Sequence, residues 1–199
     1  LYYIELNNGT TVEKALEEML SADNVNQTNS TIKTTIDTWY ENNMTSYTKY
    51  LEDTVFCNDR SIYSYNGWNP DGGSVTNYLQ FKNYNVVSDL YCTNETDRFS
   101  VGNSKAKLIY PVGLMTTPEM KLLEYNSIRA TRQLYWLASP SVFYYYGAVV
   151  RIVHGIGSVY SHDDVSSTDG ARPSVSLAPG TQYVAGTGSA TDPYVILTN

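Results

Sequence analysis

The chain has 199 residues, 42% hydrophobic and 17% charged, a composition that builds a folded core and argues against disorder. Its net charge is −7, and its 13 Lys and Arg residues are scattered with no run or stripe to neutralise phosphates, which argues against nucleic acid as a partner. No stretch nears the roughly 18 consecutive apolar residues of a membrane span, so no membrane insertion of this segment is expected, and the length suits a single domain over 1–199.

Leu1 to Leu6 reads as a strand stopped by Asn7-Asn8-Gly9. Leu1 is not an initiator Met and no signal-peptide pattern follows it, so we expect an ectodomain cut from a longer precursor. Thr10 and Glu13 form a capping box ahead of a helix with Ala15, Leu16, Met19 and Leu20 as its buried stripe. Ser21 to Asn29 is a polar loop. A longer helix is predicted from about Ser30, burying Ile32, Ile36, Trp39 or Tyr40, Met44, Tyr47 and Leu51. From Glu52 to about Asp97 no period holds, and Asn66-Gly67, Asn69-Pro70 and Asp71-Gly72-Gly73 are turn chemistry, which predicts long loops. Cys57 and Cys92 each sit among polar residues, where buried free thiols seldom lie. That favours one disulfide and an oxidising compartment over the alternative of two unpaired thiols. Ala106 to Leu114 reads as a strand and Thr117-Pro118-Glu119 as a helix start running through Met120, Leu122 and Leu123. Strands are then predicted at Tyr135 to Ala138, Gly147 to Val153, Gly157 to Tyr160, Ser174 to Leu177 and Tyr194 to Leu197. First and last strands rich in Tyr, Ile, Val and Leu could pair, and the order points to an α+β fold.

Three stretches carry a more specific signal: Tyr135-Trp136-Leu137-Ala138-Ser139-Pro140, then Gly170-Ala171-Arg172-Pro173-Ser174-Val175-Ser176-Leu177, then Gly186-Thr187-Gly188 leading to Asp192-Pro193-Tyr194-Val195-Ile196. They resemble the C-terminal half of C-type-lectin-fold domains on bacterial surface proteins, similar to formylglycine-generating-enzyme-like domains and to the variable proteins of diversity-generating retroelements. The resemblance covers about the last 65 residues well, and the N-terminal half in element order only. It implies a C-type lectin fold, two helices packed on short antiparallel sheets with N- and C-terminal strands paired, at an extracellular or cell-surface location. The calcium-dependent sugar motifs of that fold, Glu-Pro-Asn or Gln-Pro-Asp and Trp-Asn-Asp, are missing, and the cysteines match no reactive motif of the enzymes. No cofactor, no metal and no catalysis are therefore expected, and fold alone names no ligand.

Between the first two stretches lie the residues expected to bind. Phe143, Tyr144, Tyr145 and Tyr146 are consecutive, and a strand can bury only alternate ones, so at least two should face outward. Such a cluster marks contact with a partner or is the rim of one apolar layer. On the following strand Val149, Arg151 and Val153 share one face, which Arg151 should mark as outward. His154, Tyr160, His162 and Asp164 complete the candidate ligand-binding set. His162-Asp163-Asp164 reads as a solvated polar turn, since two histidines at no diagnostic spacing make no metal site. From Leu137 to Thr181 there is no Lys, Glu, Gln, Met or Trp, although these make up 27 of 199 residues, so about six would be expected. Retroelement mutagenesis of Asn codons cannot yield those five types. The resemblance thus implies a diversified face, against the alternative of a fixed binding loop. The expected function is a displayed receptor or adhesin domain for an unknown protein or glycan ligand; a calcium-independent lectin is the alternative.

Overall fold

In the computed structural model the described residues are 26, 29–66, 78–82, 90–123, 128–144, 147–159, 162–189 and 191–198, with the backbone alone at 62, 64–66, 78, 79, 143, 144 and 147. The predicted strand at Leu1 to Leu6, the helix from Thr10 and hence the pairing of first and last strands lie outside them. What is described is α+β, with few helices and several small antiparallel sheets.

Ser30 caps the first helix, α1 (Thr31–Asn43), its hydroxyl accepting from the Lys33 N–H at 3.2 Å. Lys33, Ile36, Asp37 and Tyr40 form the buried stripe, the i, i+3, i+4, i+7 spacing of one helix face. The helix ends earlier than its apolar pattern predicts. A 3-10 turn over Thr45–Tyr50 follows, and at three residues per turn it rotates Tyr47 out to solvent, while Leu51 enters a strand. Tyr40 is fully buried, its hydroxyl paired with Thr48 Oγ1 at 2.9 Å and its ring stacked on Tyr110.

The segment expected to be loops instead holds strands β1 (Leu51–Glu52), β2 (Phe56–Cys57), β3 (Ile62–Asn66) and β4 (Tyr78–Phe81). β2 pairs with β5 (Arg98–Phe99). The Cys57–Cys92 disulfide ties the two segments together, and Arg60 clamps Asp97 beside it, Nε donating to Oδ1 at 2.7 Å. Ala106 to Leu114 is no strand. Pro111 has no N–H to give a ladder, and only isolated bridges Ser100–Lys107 and Gly113–Ser174 form. Its alternation survives as burial, since Ala106, Leu108, Val112 and Leu114 all point inward.

Helix α2 (Thr117–Leu122) has a full capping box between Thr116 and Glu119. Met120 is buried and Leu122 is exposed, because a six-residue helix lying on a sheet presents one face only. The Thr117 N–H donates to Ser139 Oγ at 2.9 Å, which seats α2 on the next strand.

That strand, β6 (Tyr135–Tyr144), runs well past the predicted end, through Ser139-Pro140. The ladder accommodates Pro140 by slipping: Trp136 faces Ile152, Pro140 faces Val150 and Val142 faces Val149, so β6 carries extra residues on both sides of the proline. With β7 (Gly147–Val153) and β8 (His162–Asp164) it completes an antiparallel sheet in the order β3-β4-β6-β7-β8. Both faces are covered. Trp136, Ala138, Val150 and Ile152 pack with Ile36 of α1 and Leu114, and Tyr135, Leu137, Val153 and Val159 pack with Met120 of α2. Of the strand predicted at Gly157 to Tyr160, the described residues 157–159 form none: Gly157 has φ 93° and its N–H donates to the His154 carbonyl, closing a turn.

After Gly170 the chain crosses the domain, pairing Ser174 with Gly113 and then β9 (Ser176–Leu177) with β1. The last hairpin, β10 (Tyr183–Ala185) with β11 (Val195–Ile196), leaves Tyr183, Val184, Tyr194 and Val195 exposed. Gly186, at φ 94°, turns it where a Cβ would run into the Pro193 carbonyl.

Replacing both Cys57 and Cys92 by Ala should lower the unfolding free energy by about 3–4 kcal/mol, the loop-closure value for a span of this length. Urea denaturation with an unchanged slope is the check; an unchanged midpoint would mean that the β2–β5 contacts alone hold the segment.

Candidate functional site

The first two motif stretches meet in space. The Trp136 N–H donates to the Gly170 carbonyl and the Gly170 N–H to the Leu134 carbonyl, both at 2.9 Å. A Cβ on Gly170 would press on that Leu134 oxygen at 3.0 Å, so the close approach favours glycine. Arg172 lies over the Tyr135 ring and donates to the Ile128 carbonyl at 2.9 Å, while the Tyr135 hydroxyl donates to the Arg129 carbonyl. Trp136, Ser139, Gly170 and Arg172 are thus spent on framing. What the frame holds is 141–169: the end of β6, β7, the turn at His154 and β8.

Within that segment the candidate residues separate. The backbones of Phe143 and Tyr144 lie on β6, with Phe143 opposite Ala148 and Tyr144 opposite Gly147 at the β6–β7 turn; Tyr145, Tyr146 and Tyr160 lie outside the described residues. Asp164 faces Val149 and His162 faces Arg151 across the β7–β8 ladder. His154 is at the other end of β7, roughly 20 Å from the turn at about 3.3 Å per residue, in a tight turn closed by its N–H to the Ser158 carbonyl. The structure brings Phe143, Tyr144 and Asp164 to one end of the sheet and leaves His154 apart.

Two expectations are overturned. Arg151 does not face outward: it is 6% exposed. The alternation of β7 is as predicted, but Val149 and Val153 on that same face are buried as well, Val153 among Tyr135, Leu137 and Met120 of α2, so neither side of the middle of this strand is free. His162-Asp163-Asp164 is the edge strand of the sheet rather than a turn.

Neighbours that the sequence reading passed over also reach this end. β4 lies beside β6 with Tyr78 opposite Tyr144 and Leu79 opposite Phe143, and Asn66 of β3 lies opposite Tyr78. Tyr63, toward the opposite end of β3, is 56% exposed. The alternating Tyr63-Ser64-Tyr65 was the available signal, outweighed by the turn residues that follow it.

The charges here bias one another. Burial and the Arg151 guanidinium hold the His162 imidazole below its ordinary range, offset in part by Asp164 and Asp163. Burial and the same guanidinium lower Lys121 on α2. Asp169 is pushed up by burial and by the charge and hydrogen bonding of Asp163, whose Oδ1 already accepts from the Asp164 N–H at 2.8 Å and the Ser167 hydroxyl at 2.9 Å. Among the described residues no group of three or more His, Cys, Asp and Glu stands close enough to hold a metal ion. A cleft of about 490 Å³ opens elsewhere, beside the disulfide, lined by Asp59, Tyr91, Arg98, Thr116 and Glu119. Its polar groups serve the fold: Glu119 in the capping box, Arg98 Nε donating to the Cys92 carbonyl at 2.6 Å. No helix among the described residues is long and apolar enough to cross a membrane.

A carboxyl whose folded pKa is raised stabilises the protein below its unfolded pKa, and that contribution is lost as pH rises through the folded value. The Asp163–Asp169 pair should therefore favour folding below about pH 4 and penalise it above. Asp169→Asn keeps a donor for Asp163 and should raise the melting temperature at pH 7 relative to the parent while narrowing the difference at pH 4. Melting curves at the two pH values test this, and a variant destabilised equally at both would refute a carboxyl pair.

Comparison with known proteins finds no matching family model, no similar curated protein and no similar solved structure.

Proposed function

We propose that this chain is a C-type-lectin-like domain, displayed on a cell surface or secreted, that binds a protein ligand through the end of the sheet where β3, β4, β6 and β7 converge and catalyses nothing. The observation that carries this reading is the closed frame. Tyr135-Trp136 and Gly170-Ala171-Arg172 are hydrogen-bonded to each other, so 141–169 leaves and returns to one fixed point. An aromatic stretch on a rigid strand pair is what a binding face needs: contact area at low entropy cost on elements that do not move. The absence of five residue types from that segment supports diversification by a retroelement. Both cysteines are joined in a disulfide, which favours binding over thiol chemistry, and it also suits an oxidising, extracellular setting.

The first experiment is to sequence the encoding locus around codons 137–181 and search nearby DNA for a near-identical repeat differing only at adenines, with a reverse transcriptase beside it. Finding it establishes the diversified face, and its absence leaves a surface of fixed specificity. On protein and glycan arrays the domain should bind a protein, and Tyr144→Ala or Tyr145→Ala should weaken binding about tenfold or more, as a hot-spot tyrosine does, without shifting the melting temperature. Glycan hits that survive EDTA would point to the lectin alternative, and no hit of either class would overturn the binding reading.

A further inference from the structure

Far from the β6–β7 turn, three polar side chains are buried on the inner side of α1. Lys33 is 5% exposed, Asp37 8% and Asn58 6%. Lys33 Nζ is ion-paired with Asp37 Oδ2 one helical turn on. Asn58 follows Cys57 at the end of β2, its backbone N–H held by the Asp97 carbonyl at 3.0 Å. Lys33 and Asn58 both line one cavity of about 40 Å³, whose other walls include Phe56, Phe99, Leu108 and Leu114. Two oxygens of this group, Asn58 Oδ1 and Asp37 Oδ1, are buried with no hydrogen-bond partner among the described residues.

Lysine is almost never this buried. A buried ion pair is weak evidence for stability, because apolar residues of the same volume commonly serve as well or better. Orphaned buried oxygens call for an explanation of their own. One chemistry accounts for all three residues. A buried amine paired with a carboxyl group, lining the same cavity as a buried carboxamide, supplies the nucleophile, the proton carrier and the electrophile of amide formation.

We propose that Lys33 and Asn58 become joined by an intramolecular isopeptide bond, with Asp37 carrying the protons. Within the ion pair the proton passes from Nζ to Asp37, leaving a neutral amine. Nζ attacks Asn58 Cγ, and protonated Asp37 donates to the developing charge on Oδ1, the oxygen that otherwise has no partner. The Nζ–Cγ bond forms and the Cγ–Nδ2 bond breaks. The proton lost by Nζ reaches the leaving nitrogen through Asp37, and ammonia departs, taking up the remaining Asp37 proton in water as ammonium. Nothing is oxidised or reduced and no co-reactant is consumed. Confinement makes the attack a unimolecular event. The cavity exceeds the roughly 10–15 Å³ of probe volume that one water needs, so a molecule the size of ammonia has room to leave. The bond would lock α1 to β2 beside the disulfide, independently of what the other end of the domain binds.

The test is mass spectrometry of the whole folded chain, then denatured, reduced and digested with trypsin. The intact mass should be lower than the sequence mass by one ammonia. Lys33 should resist cleavage, and the peptides ending at Lys49 and Arg60 should appear as one linked species. Ammonia loss by ring closure at Asn66-Gly67 would give the same intact mass but leave those two peptides separate, and cleavage after Lys33 with separate peptides overturns the proposal. Asp37→Asn, refolded from denaturant, should form the link about a hundredfold more slowly, the usual scale of proton-transfer catalysis; an undiminished rate would remove Asp37 from the mechanism. Lys33→Met and Asn58→Ala should show no link.

Discussion

The β6–β7 pair is the constraint on which the rest of this fold depends. Trp136, Leu137, Ala138 and Val150 to Val153 are all buried, so the two strands need cover on both faces, and water cannot supply it. One helix lies on each side: α1 meets Trp136, Ala138 and Ile152 through Ile36, and α2 meets Tyr135, Leu137 and Val153 through Met120. Apolar burial is worth about 25 cal/mol per Å², and here it is collected on both sides of one ribbon. The sites of the two helices follow from that. α2 is only six residues long, too short to be stable alone, and it persists because its Thr117 N–H donates to Ser139 Oγ and its one buried face meets the sheet.

The same constraint decides what can be presented to a partner. Residues in the middle of β7 are enclosed whichever way they point, as Arg151 illustrates. On this sheet only strand ends and the β8 edge remain, which places the proposed binding face at the β6–β7 turn, the neighbouring ends of β3 and β4, and the solvent side of β8. The buried Arg151 guanidinium then adds to burial in disfavouring charge on His162 of this edge and on Lys121 of α2.

Much of this was legible in the sequence where local chemistry and tertiary need agree. The helix start at Thr117-Pro118-Glu119, Ile36 and Tyr40 on the buried face of α1 and the alternation of β7 are short-range signals read directly from spacing, whereas the burial of Lys33 and Asp37 on that same face was not. Where the fold overrides a local preference, the reading failed for identifiable reasons. Pro140 reads as a strand terminator, yet the ladder slips around it. β3 and β4 were hidden by the turn residues between them, because a strand whose partner is distant in sequence announces itself weakly. Arg151 was assigned to solvent on charge and alternation, and neither contains the information that a helix lies over that face. The candidate site was legible as a segment bounded by two motifs, since the residues that close the frame are the ones with special backbone requirements, Gly170 above all.

The distribution of strong interactions bears on the reading of 141–169 as a variable face. Most substitutions destabilise a protein, so a surface that accepts many of them needs stability held elsewhere. Here much of it is held elsewhere: the disulfide, the Arg60 clamp on Asp97 and the Tyr40–Tyr110 stack all lie outside 141–169. The segment is tied down by the burial of Val150, Ile152, Val153 and Val159 and, at its margins, by backbone hydrogen bonds at Trp136 and Gly170 and by the β7–β8 ladder, and only the backbone bonds are indifferent to side-chain identity. Ladder bonds survive a change at His162 or Asp164, whereas a side-chain network would not. A domain arranged this way separates what must stay constant from what is free to change, and it does so through the chemical type of the interaction as much as through position.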